Sequence, residues 1–223
     1  AAHINGDIHI HDKDFYMLTE TCCQIDLLKL FHNGFSTGHG TLREPNSIQS
    51  YSALACIAIQ ANQNEMHGGQ SVPNFDYSMA QGVAKTFKKE YRRALSQYLH
   101  ICCGLTLPDA EALAKTAVQE IAEPLTMGNA DAFGGALAAY IPAHQREGGY
   151  QEIDADTVRR AHENAVETAL RETDRATYQA MEAFIHNLNT MNSRAGAQVP
   201  FSSVNYGTDT SPEGRMAIRN LLE

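Results

Sequence analysis

Apolar and polar positions alternate at the start of the chain. Within Ile4-Asn5-Gly6-Asp7-Ile8-His9-Ile10-His11-Asp12, Ile8 and Ile10 interleave with His9 and His11, which predicts a strand with both imidazoles on one side. A linker from Asp14 to Glu20 leads into Thr21-Cys22-Cys23 at a strand end. Ile25 to Phe31 then takes helical spacing, stopped by Asn33-Gly34. The stretch from Gly34 to Gly40 is too rich in glycine for long regular structure. Pro45 and Ser47 start a helix carrying Tyr51, Leu54, Ala55, Ile57, Ala58 and Ile59, which His67-Gly68-Gly69-Gln70 ends in a loop. Phe87, Tyr91, Leu95 and Leu99 recur every four residues in a long helix over 75–103. Pro108 opens a shorter helix, with Asp109 and Glu111 near its positive end. Residues 128–153 read as irregular, and 154 to about 192 as helix. Residues 197–206 read as a strand interrupted by Pro200, and Ser211-Pro212-Glu213 as a further helix start. Two short strands so far apart predict a mostly helical α/β segment whose strands pair with others outside it.

The 223 residues carry a net charge of −9, which argues against binding nucleic-acid backbone directly. No apolar run reaches the roughly 18 residues of a membrane span. Five cysteines, arranged as Cys22-Cys23, Cys56 and Cys102-Cys103, suit no secreted disulfide framework and no C-x-x-C zinc site. Reduced thiols in the cytoplasm are expected. Without an initiator Met, and with a helix still running at Glu223, the chain is expected to be an internal segment of a longer protein.

His9 and His11 are placed to line a polar pocket; as a metal pair they would need further ligands of matching spacing. Alternation sends one sulfur of Cys22-Cys23 inward and the other outward, so at most one shares the face of the histidines. Cys102-Cys103 reads as one surface and one core residue. The glycine loops 34–40 and 67–70 lack the Gly-Lys-Ser/Thr continuation of a phosphate loop. The stripe Lys85, Lys88, Lys89, Arg92 and Arg93 is a solvated face or a seat for a phosphate-bearing ligand. Polar residues crowd the run from Asn192 to Asn205 and call for hydrogen-bonding partners.

Several long motifs occur together and in order: GDIHIHD, TCCQIDL, NGFSTGHGTLREPNSI, ACIAIQANQNEMHGGQSVPNFDY and QAMEAFIHNLNTMNSRAGAQVPFSSVNYGTDTS. In combination they resemble the anaerobic (class III) ribonucleoside-triphosphate reductases. The resemblance is dense over 3–83 and 178–211 and thin over 104–177. It implies one partial domain over 1–223, the N-terminal part of a ten-stranded α/β barrel, with a weakly matching insert at about 104–177.

It further implies glycyl-radical chemistry that makes 2′-deoxyribonucleoside triphosphates for DNA synthesis. The radical glycine lies outside this chain and is installed by an iron–sulfur activating protein that uses S-adenosylmethionine. A finger-loop cysteine, also outside, carries a thiyl radical. Cys22 matches the cysteine that takes part in reducing the nucleotide, with formate or a protein dithiol as terminal reductant. His9, His11, Thr21, Ser202, Ser203 and Asn205 are the implied substrate-side residues. Arg43, Asn46 and Lys89 match an effector site for deoxynucleotides or ATP near a homodimer interface. Some members carry Glu at the position of Arg43, Lys at that of Asn46, and Asn at that of Thr21. Magnesium accompanies the nucleotide, and structural zinc is expected only outside this chain. By this reading the segment alone is inactive. Two other readings are a non-catalytic nucleotide-binding dimerisation module and a metal-dependent hydrolase using His9 and His11.

Overall fold

The computed structural model describes residues 2–7, 22–38, 40–66, 68–144, 153–192 and 199–223. His9, His11 and Thr21 lie outside the described residues, as do most of the predicted first strand and part of the 192–205 run. At its start, Ile4 and Asn5 belong to a helical turn, α1 (Ala2–Asn5), rather than to a strand.

Next come β1 (Cys23–Gln24) and α2 (Leu27–Phe31). Asp26 caps α2 by accepting from Lys29 N at 3.2 Å, and it also accepts from Asn74 Nδ2 at 3.0 Å. The glycine-rich stretch forms a minimal hairpin of β2 (Phe35–Ser36) and β3 (Thr41–Leu42). Gly34 stands at its entrance with φ of 73°, where a Cβ would fall 2.1 Å from the Leu42 carbonyl oxygen. Helix α3 (Ile48–Glu65) starts at Ser47, whose capping box with Ser50 ties off the first turn.

The segment after α3 was expected to be a loop; from Gln70 it is a strand, β4 (Gln70–Val72). Three residues are too few to show alternation, and pairing on both sides supplies what the pattern lacks. β1 and β5 (Ser202–Val204) flank β4 in parallel, with Cys23, Gln70 and Ser202 in register. These strands therefore find partners within the chain. The last strand is also shorter than the predicted 197–206.

Helix α4 (Phe75–Cys103) ends at Gly104, in the left-handed region at φ of 73°. Helix α5 (Leu107–Glu120) follows, capped by Thr106. Residues 130–144, expected to be irregular, form α6 (Ala130–His144). Gly134, Gly135 and Pro142 suggest a break, yet Phe133, Leu137 and Ile141 are fully buried at four-residue spacing, and Pro142 falls in the last turn. Gly134 is a packing site, since a Cβ there would lie 2.5 Å from the His162 ring. Asp154 caps α7 (Ala155–Thr190), and Ser211 caps α8 (Pro212–Leu222).

The two long helices are antiparallel: the first half of α4 packs with the second half of α7, and the reverse. They span about 44 and 54 Å at 1.5 Å per residue. At one end they share a core with α2, α3, β4 and α8, in which Phe75 and Phe184 meet at 5.0 Å. At the other end their core includes α5 and α6. There Tyr91 Oη lies 2.7 Å from His162 Nδ1. Burial lowers the His162 pKa against the pull of Asp131, Glu163 and the Ala130 carbonyl, which favours a neutral imidazole linking α4, α6 and α7.

Candidate functional site

The three-stranded sheet has two unlike faces. Val72 is fully buried, and Val204 and Ile25 pack into the same core, so Cys23, Gln70 and Ser202, alternating in phase with them, face the helices. Gln70 is 1% exposed, and its side chain is hydrogen-bonded by Asn62 of α3. The opposite face presents Gln24, Ser71 and Ser203, with Cys22 leading into it; Ser71 is half-buried and the other three are exposed. This face is small, polar and open.

Backbone pairing fixes these side chains. Cys23 N donates to Gly69 O at 3.1 Å, Ile25 N to Ser71 O at 2.7 Å and Gln70 N to Phe201 O at 2.8 Å. Asn205 N donates to Val72 O at 2.9 Å, and Asn205 O accepts from Phe75 N at 3.2 Å. The Asn205 side chain is thereby left exposed at the end of β5. Of the predicted substrate-side residues, Ser203 and Asn205 flank the open face, while Ser202 sits half-buried on the helix side. Neighbouring residues on a strand cannot both serve one face. Gln24 and Ser71 were not anticipated, and the unrecognised strand β4 is what places Ser71 beside the others.

The loop after β5 is held by Asp76 in the first turn of α4. Its Oδ2 accepts backbone N–H groups from Gly207, Thr208 and Asp209, each at 2.9 Å, while Oδ1 accepts from Tyr77 N at 2.9 Å. Burial alone would raise this carboxyl's pKa, but the N–H donors outweigh it and hold the pKa below the usual value.

A second feature lies across the molecule's surface, where the segment before α3 meets α4. A cleft of about 410 Å³ is walled by Glu44, Pro45 and Asn46 on one side. Lys85, Lys88, Lys89 and Arg92 line the other, with Val118 of α5 at the margin. Asn46 and Lys89, two of the predicted effector residues, thus share one cavity. Arg43 is exposed beside it and is not among the lining residues. Four of the five cations in the basic stripe line the cleft; the fifth, Arg93, turns to Glu90 at 2.8 Å. Lys85 Nζ meets Glu44 Oε1 at 2.6 Å, donates to Pro45 O at 2.9 Å and lies 5.2 Å from the Tyr51 ring centre. The ion pair lowers the Glu44 pKa. For Lys85, burial works in the opposite direction and is outweighed by Glu44 and Tyr51, so its pKa is raised. Among the described residues, no group of three or more His, Cys, Asp or Glu is placed to hold a metal ion. No described helix is long and apolar enough to cross a membrane.

A family model described as anaerobic ribonucleoside-triphosphate reductase matches residues 1–223. Curated relatives bearing that name include one from Salmonella typhimurium, 27% identical over 121 residues, covering 53% of this chain and 16% of that protein. The Escherichia coli relative is 28% identical over 117 residues, covering 52% and 15%. The relative from Enterobacteria phage T4 is 23% identical over 224 residues, covering 100% of this chain and 26% of its own. The chain thus spans about a quarter or less of the length of these relatives.

Proposed function

Because the chain belongs to the anaerobic ribonucleoside-triphosphate reductase family, we propose that it forms the N-terminal part of a catalytic barrel domain that reduces ribonucleoside triphosphates to their 2′-deoxy forms. Residues 1–223 are read as one partial domain of a ten-stranded barrel. β1 and β5, the outer strands of the described sheet, are where further strands would add. The open polar face would then look into the barrel.

The observation that carries this reading is Cys22, exposed where β1 begins, on the same open face as Gln24, Ser71 and Ser203. A ribose with its hydroxyls needs hydrogen-bonding groups and a hydrogen donor on one surface, and this face offers both. The Cys22 thiol serves as hydrogen-atom donor, and formate or a dithiol restores it. Ser71, Ser203, Asn205 and Thr21 bind ribose or phosphate oxygens. His9 or His11 moves the proton that lets the 2′-hydroxyl leave as water. Ser202, on the far face, supports the strand. Abstraction of the 3′-hydrogen of the nucleotide would fall to the thiyl radical of a finger-loop cysteine, generated by the glycyl radical that an activating protein installs; the resemblance puts both groups outside this chain.

The basic cleft binds the triphosphate of an effector nucleotide, with magnesium, and so selects the substrate. In this reading the protein is a cytoplasmic homodimer or larger homo-oligomer. The segment alone is inactive.

The test is the full-length protein, activated under strict anaerobic conditions and supplied with ribonucleoside triphosphates. Deoxynucleotide formation that stops on admission of air is expected. A second reading, a nucleotide-binding module without catalysis, draws on the cleft, whose cations all come from this chain. Nucleotide binding without turnover in the activated full-length protein would favour that module.

A further inference from the structure

The cleft contains its own anion. Glu44 is the one carboxylate among its lining residues, set against Lys85, Lys88, Lys89 and Arg92. Lys88, Lys89 and Arg92 pair with no carboxylate among the described residues, whereas Lys85 is paired with Glu44. An ammonium group has three protons to donate. Two of those of Lys85 are met by Glu44 Oε1 at 2.6 Å and by Pro45 O at 2.9 Å, and the ammonium lies 5.2 Å from the centre of the Tyr51 ring. Pro45 is buried and Tyr51 is a core residue, so those two partners are fixed by packing. Glu44 is the replaceable one: its side chain is 48% exposed and that of Lys85 is 34% exposed. An ion pair this open to water is weak.

We propose that Glu44 is a built-in competitor, occupying on Lys85 the place that a phosphate group of an anionic ligand would take, so that binding exchanges one ion pair for another. The proposal rests on reading the cleft as a polyphosphate site. The number of cations then overstates the affinity, because one of the four is already neutralised and is released only when the carboxylate swings out. Glu44 has room to do so, as its exposed side belongs to the short link between β3 and α3. Lys85 does not, being held by Pro45 and Tyr51. The movable half of the pair is therefore the acid, which leaves the cation presented to the incoming anion. Glu44 is thereby a determinant of how strongly the cleft prefers ligands with several phosphates, since one more phosphate contact must be gained to make its displacement favourable.

Binding of inorganic tripolyphosphate to the full-length protein, followed by titration calorimetry at low salt, tests this. Glu44→Gln should tighten binding by about two- to fivefold, the range a surface ion pair allows. Lys89→Ala should weaken it. In a Lys85→Met background the Glu44→Gln gain should fall below about twofold, because the competition runs through that one ammonium. If Lys89→Ala weakens binding but Glu44→Gln leaves it unchanged or weaker, Glu44 is no competitor, although the cleft remains the anion site. If the gain persists undiminished in Lys85→Met, removal of charge at a distance explains it and the exchange is refuted. If Lys89→Ala has no effect, the cleft is not where polyphosphate binds, and both readings fall together.

Discussion

Asp76 is 0% exposed, and three consecutive backbone N–H groups of the 207–209 loop converge on one of its oxygens. Hydrogen bonds to a charged acceptor contribute about 1.5–3 kcal/mol, so this carboxylate fixes the chain leaving β5 to the start of α4. Asp76→Asn keeps the shape but turns a donor or a weaker acceptor toward those N–H groups, and should cost about 2–3 kcal/mol in urea unfolding. The folded pKa is depressed, so the stabilisation is full above the usual carboxylate pKa of 3.8. It is lost as pH falls below that value through the folded pKa. A variant whose stability matched wild type at neutral pH would contradict this role. Part of the residue-level picture was legible in the sequence. Strand alternation anticipates that the two sulfurs of Cys22-Cys23 part ways, and Cys22 is exposed while Cys23 is half-buried. The same alternation parts Ser202 from Ser203, the first half-buried and the second exposed. Glu44 drew no notice because its partner is 41 positions away, and a lone acid beside Arg43 and Pro45 has no local pattern.

Elements announced by caps and a sustained apolar stripe were legible nearly to the residue. Ser47, Asp154 and Ser211 each accept a backbone N–H at a helix start, and α4 spans the predicted 75–103. Elements that owe their existence to neighbours were not. β4 is a strand because β1 and β5 pair with it, and α6 contains glycines because His162 lies against one of them. That last relation separates two adjacent positions. Glycine in a helix interior is normally improved by alanine, by up to about 1 kcal/mol. Gly135→Ala meets nothing within 4 Å and should raise the melting temperature. Gly134→Ala would drive a methyl into the His162 ring and disturb its 2.7 Å hydrogen bond to Tyr91. It should lower stability by about 1–3 kcal/mol. Equal effects at both positions would mean that the α6–α7 contact is looser than described.

At the scale of the molecule, α4 and α7 act as long struts joining two cores, one of which carries the parallel sheet on its surface. The helical end corresponds to the part of the sequence where the family motifs are thin, and the sheet end to the part where they are dense. A helical core accepts many apolar side chains of similar volume, which accounts for thin motifs at the helical end. The expectation of a ten-stranded barrel rests on resemblance alone, and the described sheet holds three strands. Strands of two and three residues carry too little pattern to predict their number. The central claim is that the open face is the reacting face, and the two adjacent thiols test it with one pair of substitutions. Deoxynucleotide formation by the anaerobically activated full-length protein should vanish in Cys22→Ser, while tripolyphosphate binding stays at the wild-type level. Cys23→Ser, on the helix side, should retain turnover. Turnover that survives Cys22→Ser, or that is lost only in Cys23→Ser, would place the chemistry elsewhere and contradict the assignment of that face.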